Sequence, residues 1–427
     1  MDYQQSRAYI KDAEKYGIVP GLANMRELMK RLGNPQDSLQ FVHVAGTNGK
    51  GSVITYLYSV LSRAGYRVGR YISPTIYSYR ERMEAAGQTI TRSEFAGYLT
   101  KTADVIAEMT REGLPHPTPF EIETAVAFLF FKEKNCSPVL LEVGMGGSLD
   151  ATNIIKNTKL AVLASISLDH QSFLGNTLAE IAQNKAGIIK PGCQAVTAAQ
   201  RPEAKEVIER CCQASGVPLR EASPAEAELL TEGVRGQTFR YKNETYELSL
   251  AGVYQIENAV LALEALDILS ECGYPTTIQE RKDGLREAQW GGRFTVIHEK
   301  PLLVVDGAHN PAAADQLATS IRHYFKGRRL YYIMGMFRDK DYRSVIAKTS
   351  PYAQKIFTIA TPGNPRALPA EELAEAVREY HEDVTAMDTI EAAVDEAFRI
   401  AGEEDVILAF GSLSFIGELT RIVKEMK

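Results

Sequence analysis

The segment FVHVAGTNGKGSV, residues 41–53, carries the densest chemical signal in the sequence. An apolar run ends at Ala45, and Gly46, Gly49 and Gly51 then allow a tight turn that exposes backbone N–H groups. A helix beginning near Ser52 would aim the positive end of its dipole at the same point. Lys50 is long enough to reach the outer phosphates of a nucleotide, and Ser52 offers a hydroxyl to Mg2+. The spacing is not the strict GxxxxGK[ST] pattern, because Ala45 precedes the first glycine and Gly51 separates Lys50 from Ser52. An ordinary glycine-rich turn is the bland alternative. The strand–loop–helix context favours a phosphate loop.

Two further groups fall at the carboxyl ends of expected strands, where open α/β sheets bind ligands. Glu142 closes VLLEV and precedes Gly144, Gly146 and Gly147; Asp169 and His170 follow LAVLASIS. A carboxylate and an imidazole beside a phosphate loop suit a metal–phosphate site. Lys185, in IAQNKAGIIKPG, means little alone, because exposed helix lysines are common. In the second half, LLVVDGAHNP breaks into Asp306, Gly307, His309 and Asn310, and Pro311 starts a helix. Arg293 lies just upstream and could grip a phosphate with two N–H groups.

The elements that must position these residues follow from periodicity. The first 35 residues read as helices, with Met25, Leu28, Met29 and Leu32 on one face. Strands are expected at 41–45, 67–72, 139–143, 160–165 and 195–198, with helices at 52–64, 93–111, 121–133, 178–188 and 202–214. Residues 238–241 and 246–250 read as a hairpin, followed by helices 255–272 and 277–287. AQWGGRF, residues 288–294, reads as a hinge between a unit over 1–290 and a second over 294–427. The second unit restarts the alternation, with strands at 302–305, 330–334, 355–359, 384–387 and 406–410. Its expected helices are 311–324, 341–350, 370–380, 389–402 and 413–425. This order specifies two doubly wound α/β units with largely parallel sheets.

Composition narrows the function. The 427 residues are 45% hydrophobic and 24% charged, ordinary for a globular protein with more than one core. A net charge of −6 argues against nucleic acid as the main partner. The five cysteines, Cys136, Cys193, Cys211, Cys212 and Cys272, form no CxxC pair, so reduced thiols are expected. No signal-peptide core and no membrane-length apolar run are present, which predicts a cytoplasmic protein without a membrane partner.

Several motifs occur in one order: GTNGKGS, SPTIYSYRERM, TPFEIETAVAFLFF, LLEVGMGGSLDATN, SLDHQSFLGNTLAEIAQNKAGIIKPG, GVYQIENAVLALEAL, VVDGAHNP and FGSLSFIGEL. Together they resemble the folylpolyglutamate synthases and the bifunctional dihydrofolate/folylpolyglutamate synthases, from about residue 40 to the C-terminus. The resemblance implies a P-loop domain of Mur-ligase type and a smaller Rossmann-like C-terminal domain. It implies a monomer that joins L-glutamate to a reduced folate, or to dihydropteroate, with ATP and two Mg2+ ions. By resemblance, residues 46–52, Asn258, Arg293 and Asp306 contact ATP, and Lys50, Lys185 and His309 take part in catalysis. Ser52, Ser73 and Glu142 match one metal site; Glu142, His170 and a carbamylated Lys185 match the second. Phe120, Asp150, Ala151 and Thr152 match the folate pocket, and Ser412 a glutamate contact. The sequence departs from the family pattern at Thr75, Ser148 and Asn184. The rival readings are a Mur-type peptide ligase, disfavoured because only about 45 residues precede the loop, and a non-catalytic ATP-binding regulator.

Overall fold

The computed structural model describes residues 1–17 and 21–426. Helices Tyr3–Ala13 and Ala23–Arg31 form near the start; the helical reading of residues 18–20 lies outside the described residues. Strand β1 (Phe41–Ala45) is buried along its whole length. Val42 and Val44 join one core cluster and Phe41 another, so both sheet faces are covered.

The first sheet also contains β2 (Gly69–Tyr71), β3 (Met83–Ala85), β4 (Gln88–Thr89), β5 (Val139–Glu142), β6 (Thr158–Leu163), β7 (Gln194–Thr197) and β8 (Leu219–Glu221). Its order is β4-β3-β2-β5-β1-β6-β7-β8. β1 pairs in parallel with β5 and β6, which brings the ends of these three strands side by side. Their carboxyl ends carry the glycine loop, Glu142 and the Asp169–His170 segment. Helices Lys50–Arg63 and Gln255–Glu271 pack against one face, and Arg92–Arg111 and Pro119–Glu133 belong to the core on the other.

Strands β9 (Glu228–Gly233), β10 (Gly236–Tyr241) and β11 (Glu244–Leu248) make a separate antiparallel sheet. The turn of the β10–β11 hairpin is Lys242–Asn243, with φ of 48° and 66°. Two positive φ values are what a two-residue hairpin needs to match strand twist. Its inner residues Phe239, Tyr241, Tyr246 and Leu248 join the first core.

The second parallel sheet comprises β12 (Thr295–Glu299), β13 (Leu302–Asp306), β14 (Leu330–Met334), β15 (Lys355–Thr358), β16 (Val384–Ala386) and β17 (Val406–Phe410). Its order is β12-β13-β17-β14-β15-β16, with only β12 antiparallel to its neighbour. Helices cover both faces, so each unit is doubly wound as the alternation predicts.

The departures from expectation have local causes. The phosphate-loop helix starts at Lys50, not 52, because Gly49 adopts φ +88° and caps it. β9 is almost wholly exposed and β12 only half-buried, so neither shows the alternation by which strands are read. β3, β4 and β8 have only two or three residues each, too short for a periodic signal.

Leu57, fully buried on the helix that begins at Lys50, anchors that helix to the first core. Leu57→Ala is expected to lower unfolding stability by about 2–5 kcal/mol in urea denaturation.

Candidate functional site

The glycine loop is shaped by close approaches. A Cβ at Gly46 would stand 2.7 Å from the Ala164 Cβ, and one at Gly51 2.5 Å from the Trp290 ring. A Cβ at Gly49 would collide with the Asn258 side-chain oxygen. Thr47 and Asn48 donate their N–H groups to the Ser165 carbonyl at 2.7 and 3.2 Å, which fixes the loop to the segment after β6. Thr47 Oγ1 also donates to the Ser167 carbonyl at 3.0 Å. The N–H groups left without an intrahelical acceptor begin at Lys50, Gly51 and Ser52 and head the helix. An anion is favoured there by both hydrogen bonding and the dipole.

Lys50 folds back over the loop, with Nζ donating to the Gly46 and Thr47 carbonyls at 3.1 and 3.3 Å. Lys185 comes from helix Leu178–Ala186 and donates to the same Gly46 carbonyl at 2.8 Å. Burial and the neighbouring Lys50 charge pull the Lys185 pKa down to about 7. Glu142 is buried, accepts the Ser73 N–H at 3.0 Å and stands 3.9 Å from Lys50 Nζ. Burial raises its pKa against the pull of Lys50. Ser52 Oγ accepts from Gln255 at 3.3 Å, and Asn258 donates to Gln255 at 3.1 Å.

The second unit completes the wall. Asp306 is buried and accepts from the Phe294 and Ala308 N–H groups at 2.8 Å each, and from the Tyr254 hydroxyl at 3.1 Å. His309 Nδ1 faces the Gly307 carbonyl at 2.8 Å, so that nitrogen carries the proton, and Nε2 stands 3.9 Å from Asp169. Burial, reinforced by Lys340, lowers the His309 pKa to about 4. Lys50, Ser52, Ser73, Glu142, His170, Lys185, Asn258, Arg293, Asp306 and His309 thus line one pocket of about 180 Å3.

A second cavity, of about 520 Å3, adjoins it and shares Ser73, Pro74, His170, His309 and Leu413 with it. Phe120, Asp150, Ala151 and Ser412 line this cavity. Thr152 does not: it is fully buried, donates to Asp150 at 2.5 Å and contacts His43 Nε2 at 2.8 Å. Its hydroxyl positions Asp150 rather than a ligand. Ser412 caps its own helix by accepting the Ser414 N–H at 3.2 Å. Ser148 and Asn184, two of the departures from the family pattern, touch: the Ser148 hydroxyl stands 3.2 and 3.3 Å from the Asn184 oxygens.

Lys340 was not among the expected site residues. Its side chain is 8% exposed, and Nζ lies 2.9 Å from Asp169 and 3.3 Å from His170. Burial pushes Asp169 up, but Lys340, His170 and His309 outweigh it and hold the carboxyl well below the usual range. Lys340 follows β14, so the strand-end rule pointed there, but nothing in the local sequence FRDKDY singles it out. Among the described residues no group of three or more His, Cys, Asp and Glu side chains is arranged for a metal. Of the expected ligand sets, only Glu142 and His170 are of these four types.

Two family models match the chain: Mur ligase middle domain over residues 44–266, and Mur ligase glutamate ligase domain over 292–413. The chain is 35% identical to the dihydrofolate synthase/folylpolyglutamate synthase of Bacillus subtilis, over 99% of both chains. The chain belongs to the Mur ligase family. Within it, the chain falls in the branch of dihydrofolate and folylpolyglutamate synthases, which are ATP-dependent ligases. It is 32% identical to the folylpolyglutamate synthase of Lacticaseibacillus casei, over 86% of this chain and 88% of that one. The solved structure of the Mycobacterium tuberculosis folylpolyglutamate synthase with ADP and AMPPCP superposes with a TM-score of 0.88 at 29% identity, covering 100% and 99% of the two chains. Escherichia coli FolC in complex with DHPP and ADP gives 0.87 at 30% identity, covering 100% and 98%. No helix among the described residues is long and apolar enough to cross a membrane.

Gly49→Ala adds a Cβ against Asn258 at a backbone angle that only glycine adopts easily. ADP affinity in this variant is expected to fall at least about tenfold by calorimetry, while the unfolding transition remains cooperative.

Proposed function

We propose that this chain joins L-glutamate to the carboxylate of a reduced folate, extending the γ-glutamyl chain at the expense of ATP, with dihydropteroate as a second acceptor. The supporting observation is the adjacency of two cavities that share a wall. One is polar and lies at the glycine loop; the other is larger, with apolar residues such as Phe120, Met145, Phe173 and Leu174 on its wall. ATP would fill the first and the pterin and benzoyl rings the second, so the reacting carboxylate would meet the γ-phosphate at Ser73, His170 and His309. A Mur-type peptide ligase or a regulatory ATP switch has no such support.

A carboxylate is a poor electrophile, so its oxygen first takes the γ-phosphoryl group of ATP and ADP leaves. The glutamate amine then attacks the acyl carbon, the C–O bond to phosphate breaks, and an amide and inorganic phosphate result. The chain's part is positioning, charge neutralisation and exclusion of water. Lys50 and the helix N-terminus hold the phosphates. Asn258, Arg293 and Asp306 orient the nucleotide, and His309 Nε2 faces the transferred phosphoryl group. Ser412, on the wall of the larger cavity, would contact the incoming glutamate. Closure across 288–294, between units 1–290 and 294–427, would keep water from the acyl phosphate.

The donor set fits Mg2+, which takes oxygen ligands and keeps several for phosphate and water. Glu142 is a buried carboxyl whose nearest cation stands 3.9 Å away, and Ser52 and Ser73 add hydroxyls. Glu142, His170 and Lys185 would form the second site. Bound there, two Mg2+ ions supply charge stabilisation for phosphoryl transfer. Lys185, near pKa 7 and deeply buried, is suited as a neutral amine to add CO2 and lose a proton, giving a carbamate anion. We place the protein in the cytoplasm as a monomer.

Purified protein with ATP, Mg2+ and tetrahydrofolate is expected to sustain ADP release over many turnovers only when L-glutamate is added, with a product one glutamyl residue heavier. Lys50→Ala is expected to lower this turnover by at least about a thousandfold. Sustained ADP release over many turnovers without glutamate, or near-normal turnover of Lys50→Ala, refutes the proposal. Chelation of Mg2+ is expected to abolish turnover, and re-addition to restore it.

A further inference from the structure

The larger cavity is asymmetric. Its wall from the first unit carries Phe120, Met145, Leu149, Phe173 and Leu174. Leu149 and Phe173 are 55% and 53% exposed, unusual for large apolar side chains and fitted to a flat aromatic ligand. The wall from the second unit is more polar and contributes His309, Lys340, Arg366 and Ser412. An occupant matching both walls has an aromatic head and an anionic tail.

Three cations line this cavity among the described residues: Arg82, Lys340 and Arg366. Arg82 is 14% exposed and held by the buried Glu123 at 3.0 Å. Lys340 is buried and held by Asp169 at 2.9 Å. Arg366 differs, because its one carboxylate partner, Asp339 at 3.1 Å, is 45% exposed and Arg366 itself 51% exposed. An ion pair so open to water contributes little and exchanges readily for a ligand carboxylate.

Arg366 is nevertheless held in place. Its guanidinium lies 4.6 Å over the Phe337 ring, and Phe337 is buried on the same cavity wall. Its carbonyl accepts the Arg338 N–H at 2.8 Å, and its own N–H donates to Asn364 at 3.0 Å. Phe337 and Ala367 form a β-bridge, and Leu368 donates to the Met336 carbonyl at 3.0 Å, so the two loops are fastened on either side of Arg366. A stacked guanidinium retains its planar edge for two parallel hydrogen bonds to a carboxylate.

We propose that Arg366 is the subsite for the α-carboxylate of the acceptor's glutamyl tail, and so a determinant of preference for glutamylated acceptors. The assignment rests on the folate–glutamate ligase reading above. With the rings against Phe120 and Phe173 and the γ-carboxylate at the shared wall, the α-carboxylate is the remaining charge on the acceptor. Arg366 is the cavity cation whose carboxylate partner is itself exposed to water.

The test compares tetrahydrofolate with its α-amide, which keeps the reacting γ-carboxylate but lacks the charge, in the wild type, Arg366→Gln and Arg366→Lys. The wild type is expected to show a KM for the amide about ten- to a hundredfold higher, the worth of one charge-assisted hydrogen-bonded pair. Arg366→Gln is expected to treat the two acceptors alike, with KM for ATP and for glutamate within about twofold of wild type, and Arg366→Lys to recover part of the discrimination. A wild type indifferent to amidation overturns the assignment, as does an Arg366→Gln variant that discriminates as the wild type does. A rise in the KM for glutamate instead moves Arg366 to the incoming amino acid and overturns it too. A wild type that turns over neither acceptor overturns the functional reading itself.

Discussion

Two lysine ammonium groups converge on one carbonyl oxygen, that of Gly46, at 3.1 and 2.8 Å. They repel each other, and the nearest buried carboxylate, Glu142, stands 3.9 Å from Lys50. Burial deepens the conflict, since a low-dielectric site strengthens every charge interaction. The arrangement is tolerable because Lys185 can shed its proton and because the site is open to anions. The fold is organised to hold it: β1 delivers the carbonyl, β5 the carboxylate, and a helix reached after β6 the second lysine.

At this site the second unit meets the first through polar contacts, beside an apolar seam where Ile76 packs against the core that contains Leu413 and Ile416. Asp169 takes Lys340 at 2.9 Å and Asn310 at 3.2 Å, and Asn310 forms a reciprocal amide pair with Asn48 of the glycine loop at 3.1 and 3.4 Å. Tyr254 reaches Asp306 at 3.1 Å. Each contact ends on a group that a phosphate, a metal or a carboxylate could claim. Such an interface can rearrange when substrates arrive, as interfaces between domains of one chain commonly do. The wall of the polar pocket is therefore a property of both units together.

Much of this was legible in the sequence. The β–α alternation specified both sheets, because their central strands are buried on two faces and read as unbroken apolar runs. A phosphate loop could be proposed from sequence because three glycines, a lysine and a serine fall within the seven residues 46–52. What local pattern could not carry was distance. Lys185 looked like any helix lysine, yet it meets a carbonyl 139 positions away. Lys340 was overlooked, since its partner lies 171 positions earlier. Thr152 was assigned to the folate pocket by its motif, but the Asp150-capped turn faces its hydroxyl inward to His43. Strands β9 and β12 escaped because exposed edges carry no core pattern.

The account turns on where the acceptor carboxylate and the γ-phosphate meet. Labelling the acceptor's γ-carboxylate with 18O and analysing the phosphate released in single turnover tests that directly. Phosphorylation of the carboxylate predicts one labelled oxygen in each inorganic phosphate formed, because the C–O bond breaks when the amine attacks. Unlabelled phosphate would mean that water or another nucleophile takes the phosphoryl group, and would contradict the shared-wall mechanism.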